Sequence, residues 1–211
     1  MARLSKRQKK EIEVPVKLSR QELAEIAQFG RNWDNANLKR IKDKIRKHYK
    51  REQNKLCCFC KLPFRDSVEV EHTVPKGGKE GRNDFSFHPL NLSVACHHCN
   101  NKKSTNNDLI PWTLTTYPRS GLYFKIVHPH FDSYFDHITI EDKSRYVAKS
   151  VKGYKTIDRC KLYDTTITEQ LVKYMRYEDD PLIQGVLRIR ELGGSFQEIT
   201  KKIDRFFNFL F

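Results

Sequence analysis

Two Cys-x-x-Cys pairs constrain this chain more than any other feature of its sequence. Cys57 and Cys60 form the first pair, Cys96 and Cys99 form the second, and 35 residues separate the two pairs. Each pair can form a tight knuckle whose backbone amides point at thiolate sulfurs, and two knuckles supply the four tetrahedral sulfurs that suit Zn²⁺. Four thiolates leave no open position on the metal. We therefore predict a structural Zn²⁺ site that stabilises the fold and does no chemistry.

The other two cysteines do not fit this ligand pattern. Cys58 has the wrong spacing to replace Cys57, and Cys160 stands alone in the sequence. We interpret Cys58 as a bystander and Cys160 as a small buried hydrophobic residue. The tight clustering favours metal binding in a reducing compartment over disulfides. The sequence has no apolar run near the ~20 residues of a membrane span and no signal-peptide core, so we expect a cytoplasmic protein without a membrane partner.

The stretch between the two knuckles is longer than in a simple zinc ribbon, which indicates an inserted structure. Alternating valines predict a short strand that ends at Glu71 and His72, and proline and glycine at 75–78 open a loop. Alternating apolar residues over 90–94 predict a second strand, and a polar run from about Cys99 can begin a helix. The predicted order of elements is strand, loop, strand, helix.

The same segment resembles a known family of nucleases. It contains the strings Glu71-His72-Thr73-Val74-Pro75-Lys76, Asn91-Leu92 and Cys96-x-x-Cys99-Asn100-x-x-Lys103. Their order and spacing resemble the HNH endonucleases, in particular the zinc-ribbon branch with McrA-like restriction nucleases and the HNH proteins of phage-defence systems such as the Septu type. The resemblance covers about residues 57–106. It implies an α+β fold, in which a ββα-metal (HNH) core with a four-cysteine zinc site is flanked by N- and C-terminal helices.

The resemblance also implies catalytic roles. Hydrolysis of a phosphodiester needs a nucleophilic water, a base and positive charge near the leaving oxygen. His72, whose ordinary pKa lies near neutrality, is expected to be the general base, and Asn91 to orient His72 or to brace the loop. Glu71 and Asn100 are expected to hold one divalent cation, Mg²⁺ or Mn²⁺, because hard oxygen ligands suit these ions.

Asn100 departs from the family pattern, which more often has histidine at this position. An amide oxygen can bind Mg²⁺, and the family includes such HNN variants, but the amide is a neutral and weaker ligand. His97, His98 and Asn101 are the alternatives for the third metal ligand.

The net charge of +14 favours a polyanionic partner. Residues 1–55 contain 17 basic and 7 acidic side chains, so they hold +10 of this charge. A helix is predicted over residues 35–53, with an apolar stripe on one side and basic side chains on the others. We expect the basic faces to contact nucleic acid, although a merely solvated basic helix is the alternative. The candidate contacts are Lys39, Arg40, Arg46, Lys47, Lys50 and Arg51 on the helix, and Lys76 and Lys103 near the catalytic strings.

We expect three parts along the chain. Residues 1–55 form a basic arm with amphipathic helices, 56–110 form the nuclease core with its zinc knuckles, and 111–211 form an extension that packs on the core or on a partner. In the extension the apolar patterns predict two strands followed by helices, over residues 122–127 and 138–140 and near 163–175, 180–192 and 195–210.

Together these observations predict a metal-dependent endonuclease that acts on DNA. The resemblance further implies a role in bacterial defence or restriction, with a possible protein partner such as an ATPase. Two alternatives stay open. One is a non-catalytic zinc module that binds nucleic acid, and the other is an RNase toxin with the same site.

Overall fold

The computed structural model describes residues 12–65, 67–77 and 81–179. Short 3-10 turns connect several of the helices and strands within these ranges. No helix within them is both long and apolar enough to span a bilayer. In chain order the elements are α1 Arg20–Gln28, α2 Lys39–Glu52, β1 Glu69–His72, β2 Leu92–Ala95, α3 His97–Lys103, α4 Tyr134–His137, β3 Ile138–Glu141, β4 Arg145–Ala148, α5 Val151–Arg159 and α6 Thr165–Asp179.

The ββα unit that the resemblance implies is present. β1 and β2 pair antiparallel, with Glu69 opposite Ala95 and His72 opposite Leu92. α3 follows β2 directly, with Cys96 as its N-cap residue. The 3-10 turn Pro89–Asn91 takes up the first residues of the predicted second strand, so that strand begins later than its apolar pattern indicates. The predicted mixture of helices and small antiparallel strands is therefore confirmed.

Helix α2 packs its apolar stripe against this unit, as its sequence period predicts. Leu38, Ile41, Ile45 and Tyr49 are all fully buried, and burial of each such side chain contributes ~1.5–3 kcal/mol. The Tyr49 hydroxyl donates a hydrogen bond to the carbonyl of Pro89 at 2.6 Å. The stripe and this bond hold α2 beside β1 and β2, with its basic faces directed outward.

The first predicted strand of the extension is wrong. Residues Gly121–Tyr123 form a 3-10 turn, and Phe124 makes only an isolated bridge with Leu109. Farther along, the amide of Val127 donates to the Thr156 hydroxyl rather than to a neighbouring strand. Phe124, Ile126 and Val127 are buried here without a ladder partner, whereas Leu122 is exposed. A loop with buried apolar side chains can therefore show the same sequence pattern as a strand.

The rest of the extension follows the prediction in part. The strand near 138–140 is present as β3, which pairs with β4, and the helix near 163–175 is present as α6. Helix α5 was not predicted from the sequence; the Ser150 hydroxyl caps its first turn by accepting a hydrogen bond from the amide of Gly153. The helices predicted over 180–192 and 195–210 lie outside the described residues.

The extension packs on the first cysteine knuckle. The hydroxyls of Tyr134 and Tyr146 donate hydrogen bonds to the carbonyls of Phe59 and Cys60. Leu171 and Met175 of α6, among other residues, share one buried cluster with the knuckles. The extension therefore packs on the cysteines, whereas the apolar stripe of α2 belongs to a separate buried cluster.

Candidate active site and metal centre

Four cysteines form a compact cluster with the geometry of a zinc site. The Sγ atoms of Cys57, Cys60, Cys96 and Cys99 all lie within 4.8 Å of one another, and Cys60 and Cys96 are 3.9 Å apart. Zn–S bonds of ~2.3 Å in a tetrahedron place sulfurs at about this separation. The donor set and spacing fit Zn²⁺, and all four positions are taken by thiolates, so the cluster suggests a structural zinc site.

The remaining two cysteines lie outside this cluster. The Ser93 hydroxyl donates to the Cys58 sulfur at 3.5 Å, and burial raises the pKa of the Cys58 thiol. Cys160 is fully buried in the apolar cluster that also contains Leu171 and Met175 of α6. Neither sulfur belongs to the metal-spaced group found among the described residues.

Glu71 is buried at the end of β1 in an ion pair. The Lys103 ammonium lies 2.8 Å from Glu71 Oε1 in an ion pair. It also donates a hydrogen bond of 2.9 Å to the carbonyl of His72. Burial raises the pKa of Glu71, while the Lys103 charge opposes this shift. The Lys103 side chain is only 1% exposed, so its ammonium faces the interior rather than a phosphate in solvent. The sequence did not indicate this pairing.

The ring of His72 is fixed by one hydrogen bond and one aromatic contact. Nε2 lies 3.1 Å from the carbonyl oxygen of Ser86, and Trp33 packs edge-on with ring centroids 4.5 Å apart. A carbonyl only accepts hydrogen bonds, so Nε2 carries the proton and Nδ1 has the lone pair. Burial, together with the charges of Lys76 and Lys103, lowers the pKa of His72 to about 3. The imidazole is therefore neutral at pH 7.

Asn91 braces the loop that follows β1. Its Oδ1 accepts a hydrogen bond from the amide of Val74 at 2.7 Å, and its Nδ2 donates to the carbonyls of Val74 and Phe85, both at 3.0 Å. All three bonds go to backbone atoms, and Asn91 is fully buried. Of the two roles that the resemblance implies, this geometry supports bracing of the loop.

Asn100 contacts a carboxylate that sequence reasoning missed. Its Nδ2 donates to Oε2 of Glu69, and the other oxygen of Glu69 lies 2.7 Å from His97 Nδ1. Because a carboxylate only accepts, Nδ2 is directed at Glu69 and the amide oxygen of Asn100 is left for another partner. The available signal was the strand period of two, which places Glu69 on the same face of β1 as Glu71.

One cleft brings three of the four expected catalytic residues together. Its volume is about 240 Å³, and Glu71, His72 and Asn100 line it, with Lys76 at the side and Ser104 at the end of α3. Asn91 does not line the cleft; its hydrogen bonds go to backbone atoms of the loop that follows β1. The Lys76 ammonium pairs with Asp34 at 2.6 Å.

The cleft offers hard oxygen donors from Glu71 and Asn100, which fit Mg²⁺ or Mn²⁺. Among the described residues, however, no third carboxylate, histidine or cysteine completes a metal-spaced group there. Waters and substrate phosphate oxygens commonly supply the remaining ligands of Mg²⁺.

Half of the expected nucleic-acid contacts on α2 line a larger groove, which is separate from the cleft. This groove has a volume of about 750 Å³ and runs between α2 and the extended segment 14–17. Arg40, Lys47 and Arg51 line it, whereas Lys39, Arg46 and Lys50 lie elsewhere on the helix.

Some of these cations are already paired. Arg40 contacts Glu22 and Glu25, Arg46 contacts Asp43, and Arg51 lies 4.0 Å from Glu52. The cations on α2 that have no ion pair in the described part of the chain are Lys39, Lys42, Lys47 and Lys50.

Comparison with known families agrees with the description of β1, β2 and α3 as one ββα unit. Residues 57–106 match the family model of the HNH endonucleases, which is about a quarter of the chain. The matched segment contains the four clustered cysteines, β1, β2, α3 and the residues that line the cleft. A search of curated proteins found no match.

Proposed function

We propose that this chain, which carries an HNH endonuclease domain at residues 57–106, is a metal-dependent nuclease that hydrolyses phosphodiester bonds of DNA. The observation that carries the proposal is the cleft shared by Glu71, His72 and Asn100 inside the matched segment. A base and oxygen ligands for a divalent cation are the groups that metal-assisted hydrolysis uses.

His72 is the general base in this proposal. Its Nδ1 has the lone pair and takes a proton from the attacking water, while the carbonyl of Ser86 holds the opposite nitrogen. Asn91 keeps the loop that carries this carbonyl in place, because its Nδ2 bonds the neighbouring carbonyl of Phe85. General bases contribute ~10²–10⁴-fold to the rate and are most effective when their pKa lies near the working pH. The role therefore requires the pKa of His72 to rise from about 3, which the negative charge of a bound phosphodiester favours.

Glu71 and the amide oxygen of Asn100 would hold the divalent cation. When bound, Mg²⁺ or Mn²⁺ supplies positive charge to the leaving oxygen. Lys103 is a positioning residue here: its ammonium fixes one oxygen of Glu71 and the backbone carbonyl of His72. Glu69 orients the Asn100 amide so that its oxygen is free for the metal.

The substrate backbone would contact the basic faces of α2 and Lys76. Phosphate neutralisation dominates affinity for nucleic acid, and Lys39, Lys47 and Lys50, which make no ion pair with any residue that the structure describes, are available for it. The resemblance to phage-defence and restriction nucleases supports a role in bacterial defence, with a protein partner such as an ATPase.

Cleavage assays with two substrates test the proposal. Supercoiled plasmid and single-stranded RNA are incubated with the protein in Mg²⁺, in Mn²⁺ and in EDTA. We expect nicked and linear plasmid only when a divalent cation is present. Cleavage of RNA alone would instead favour the RNase alternative, and binding of both without cleavage would favour the non-catalytic module.

A further inference from the structure

A groove different from the one beside α2 lies on the other side of α3 from the catalytic cleft. Its volume is about 310 Å³, and a neighbouring depression of about 210 Å³ continues it and shares its floor of Leu62 and Pro63. One wall comes from the first knuckle and α3. The opposite wall comes from α6 of the extension, through residues such as Gln170 and Lys173. The groove therefore joins the matched domain to a part of the chain outside it.

Three cations from three separate parts of the chain line this groove and the depression that continues it. Arg65 follows the first knuckle and lines both, Lys102 of α3 lines the groove, and Lys173 of α6 lines the depression. Arg65 and Lys173 are exposed and make no ion pair with any described residue. Lys102 pairs with Asp164 at 3.3 Å, and its side chain is 46% exposed. An exposed pair of this kind is worth little, so Lys102 can exchange its carboxylate for a phosphate.

Successive residues of α3 connect this groove with the catalytic cleft. Asn100 and Ser104 line the cleft, whereas Asn101 and Lys102 line the groove. A helix is ~10–12 Å across, which is roughly three phosphates along one strand at ~3.4 Å each. A nucleic-acid strand that leaves the cleft over α3 therefore reaches the groove within a few nucleotides.

We propose that this groove binds the phosphate backbone of the nucleic-acid substrate on one side of the scissile bond, and that α6 forms part of the substrate-binding surface. The proposal rests on the proposed nuclease function and assigns the extension a part in it. Cations on both walls with an open channel between them are the arrangement that tracks a polyanionic strand.

Binding measurements with charge-reversal variants test the proposal. Lys173→Glu and Arg65→Glu are compared with Lys155→Glu, which reverses an exposed charge on α5 that lines neither groove nor cleft. All three carry His72→Ala, so that the substrate stays intact. The affinity for a DNA duplex of about 30 base pairs is measured by fluorescence anisotropy over a series of KCl concentrations, with circular dichroism as the check on folding.

We expect Lys173→Glu and Arg65→Glu each to weaken binding on the order of tenfold and to reduce the salt slope by about 1, as loss of one phosphate contact requires. Lys155→Glu should change the affinity less than twofold. If Lys173→Glu and Lys155→Glu bind the DNA duplex with equal affinity, the proposal is overturned. A groove that binds a protein rather than nucleic acid would give that result. That result leaves the nuclease proposal intact, because plasmid cleavage by the unaltered protein tests it separately.

Discussion

Replacing Lys103 with methionine is expected to destabilise the protein far more than loss of a surface lysine. The side chains of Glu71 and Lys103 are only 3% and 1% exposed, so the variant leaves a carboxylate in the interior without its counter-charge. Removing one partner of a buried pair costs ~3–5 kcal/mol, and loss of the hydrogen bond to the His72 carbonyl adds ~1 kcal/mol. We expect the free energy of unfolding to fall by ~4–6 kcal/mol.

Urea unfolding followed by circular dichroism measures this change. Zn²⁺ is kept at a fixed excess, because a metal that binds only the native state adds to the apparent stability. The matched control is Lys102→Met, which removes the neighbouring lysine from an exposed pair with Asp164 and should cost at most ~1 kcal/mol.

A double variant separates the buried charge from simple loss of packing. In Lys103→Met with Glu71→Gln, neither side chain carries a charge, so the double variant should be more stable than Lys103→Met alone by ~2 kcal/mol or more. The reasoning is refuted if Lys103→Met is no less stable than Lys102→Met, or if the double variant is no more stable than the single one.

Three further predictions concern the metal centre, the loop and acid stability. Cys57→Ser should lose bound zinc while Cys58→Ser retains it, as measured by metal analysis of the purified proteins; equal loss from both would contradict the four-cysteine assignment. Asn91→Ala leaves buried backbone groups without hydrogen-bond partners and should lower the free energy of unfolding in urea by ~2–4 kcal/mol. A decrease below ~1 kcal/mol would argue against its bracing role. Burial lowers the pKa of His130 to about 4, from ~6.5 in the unfolded chain. Because the unfolded chain then binds the proton more tightly, native stability should fall as the pH drops from 6.5 to 4. His130→Gln should reduce that fall by up to ~3 kcal/mol, whereas an unchanged pH dependence would count against it.

The metal centre and the α2 stripe could be predicted because both follow from local spacing. Two residues between paired cysteines define each knuckle, and apolar residues spaced three or four apart define one face of a helix. The cluster of Cys57, Cys60, Cys96 and Cys99 is present, and Ile41 and the rest of the stripe are buried.

The contacts inside the cleft could not be predicted, because they depend on how distant segments pack. Lys103 resembles an exposed lysine at the end of a short helix, yet α3 turns it inward onto Glu71, 32 residues earlier in the sequence. Glu69 belongs to the same strand as the catalytic string, but its pairing with Asn100 depends on the position of α3 against β1. The strand over 122–127 was predicted wrongly for a related reason. Apolar side chains that are buried in a loop can give the same sequence pattern as those of a strand.

The most direct test of the proposed nuclease site is the single-turnover rate of plasmid cleavage by His72→Ala. The unaltered protein and His137→Ala serve as references, because His137 lies in α4 of the extension and bonds Ser150. With zinc content and circular dichroism equal in all three proteins, we predict that His72→Ala loses at least ~100-fold in rate while His137→Ala cleaves at the rate of the unaltered protein. Cleavage by His72→Ala at the rate of the unaltered protein would contradict this prediction.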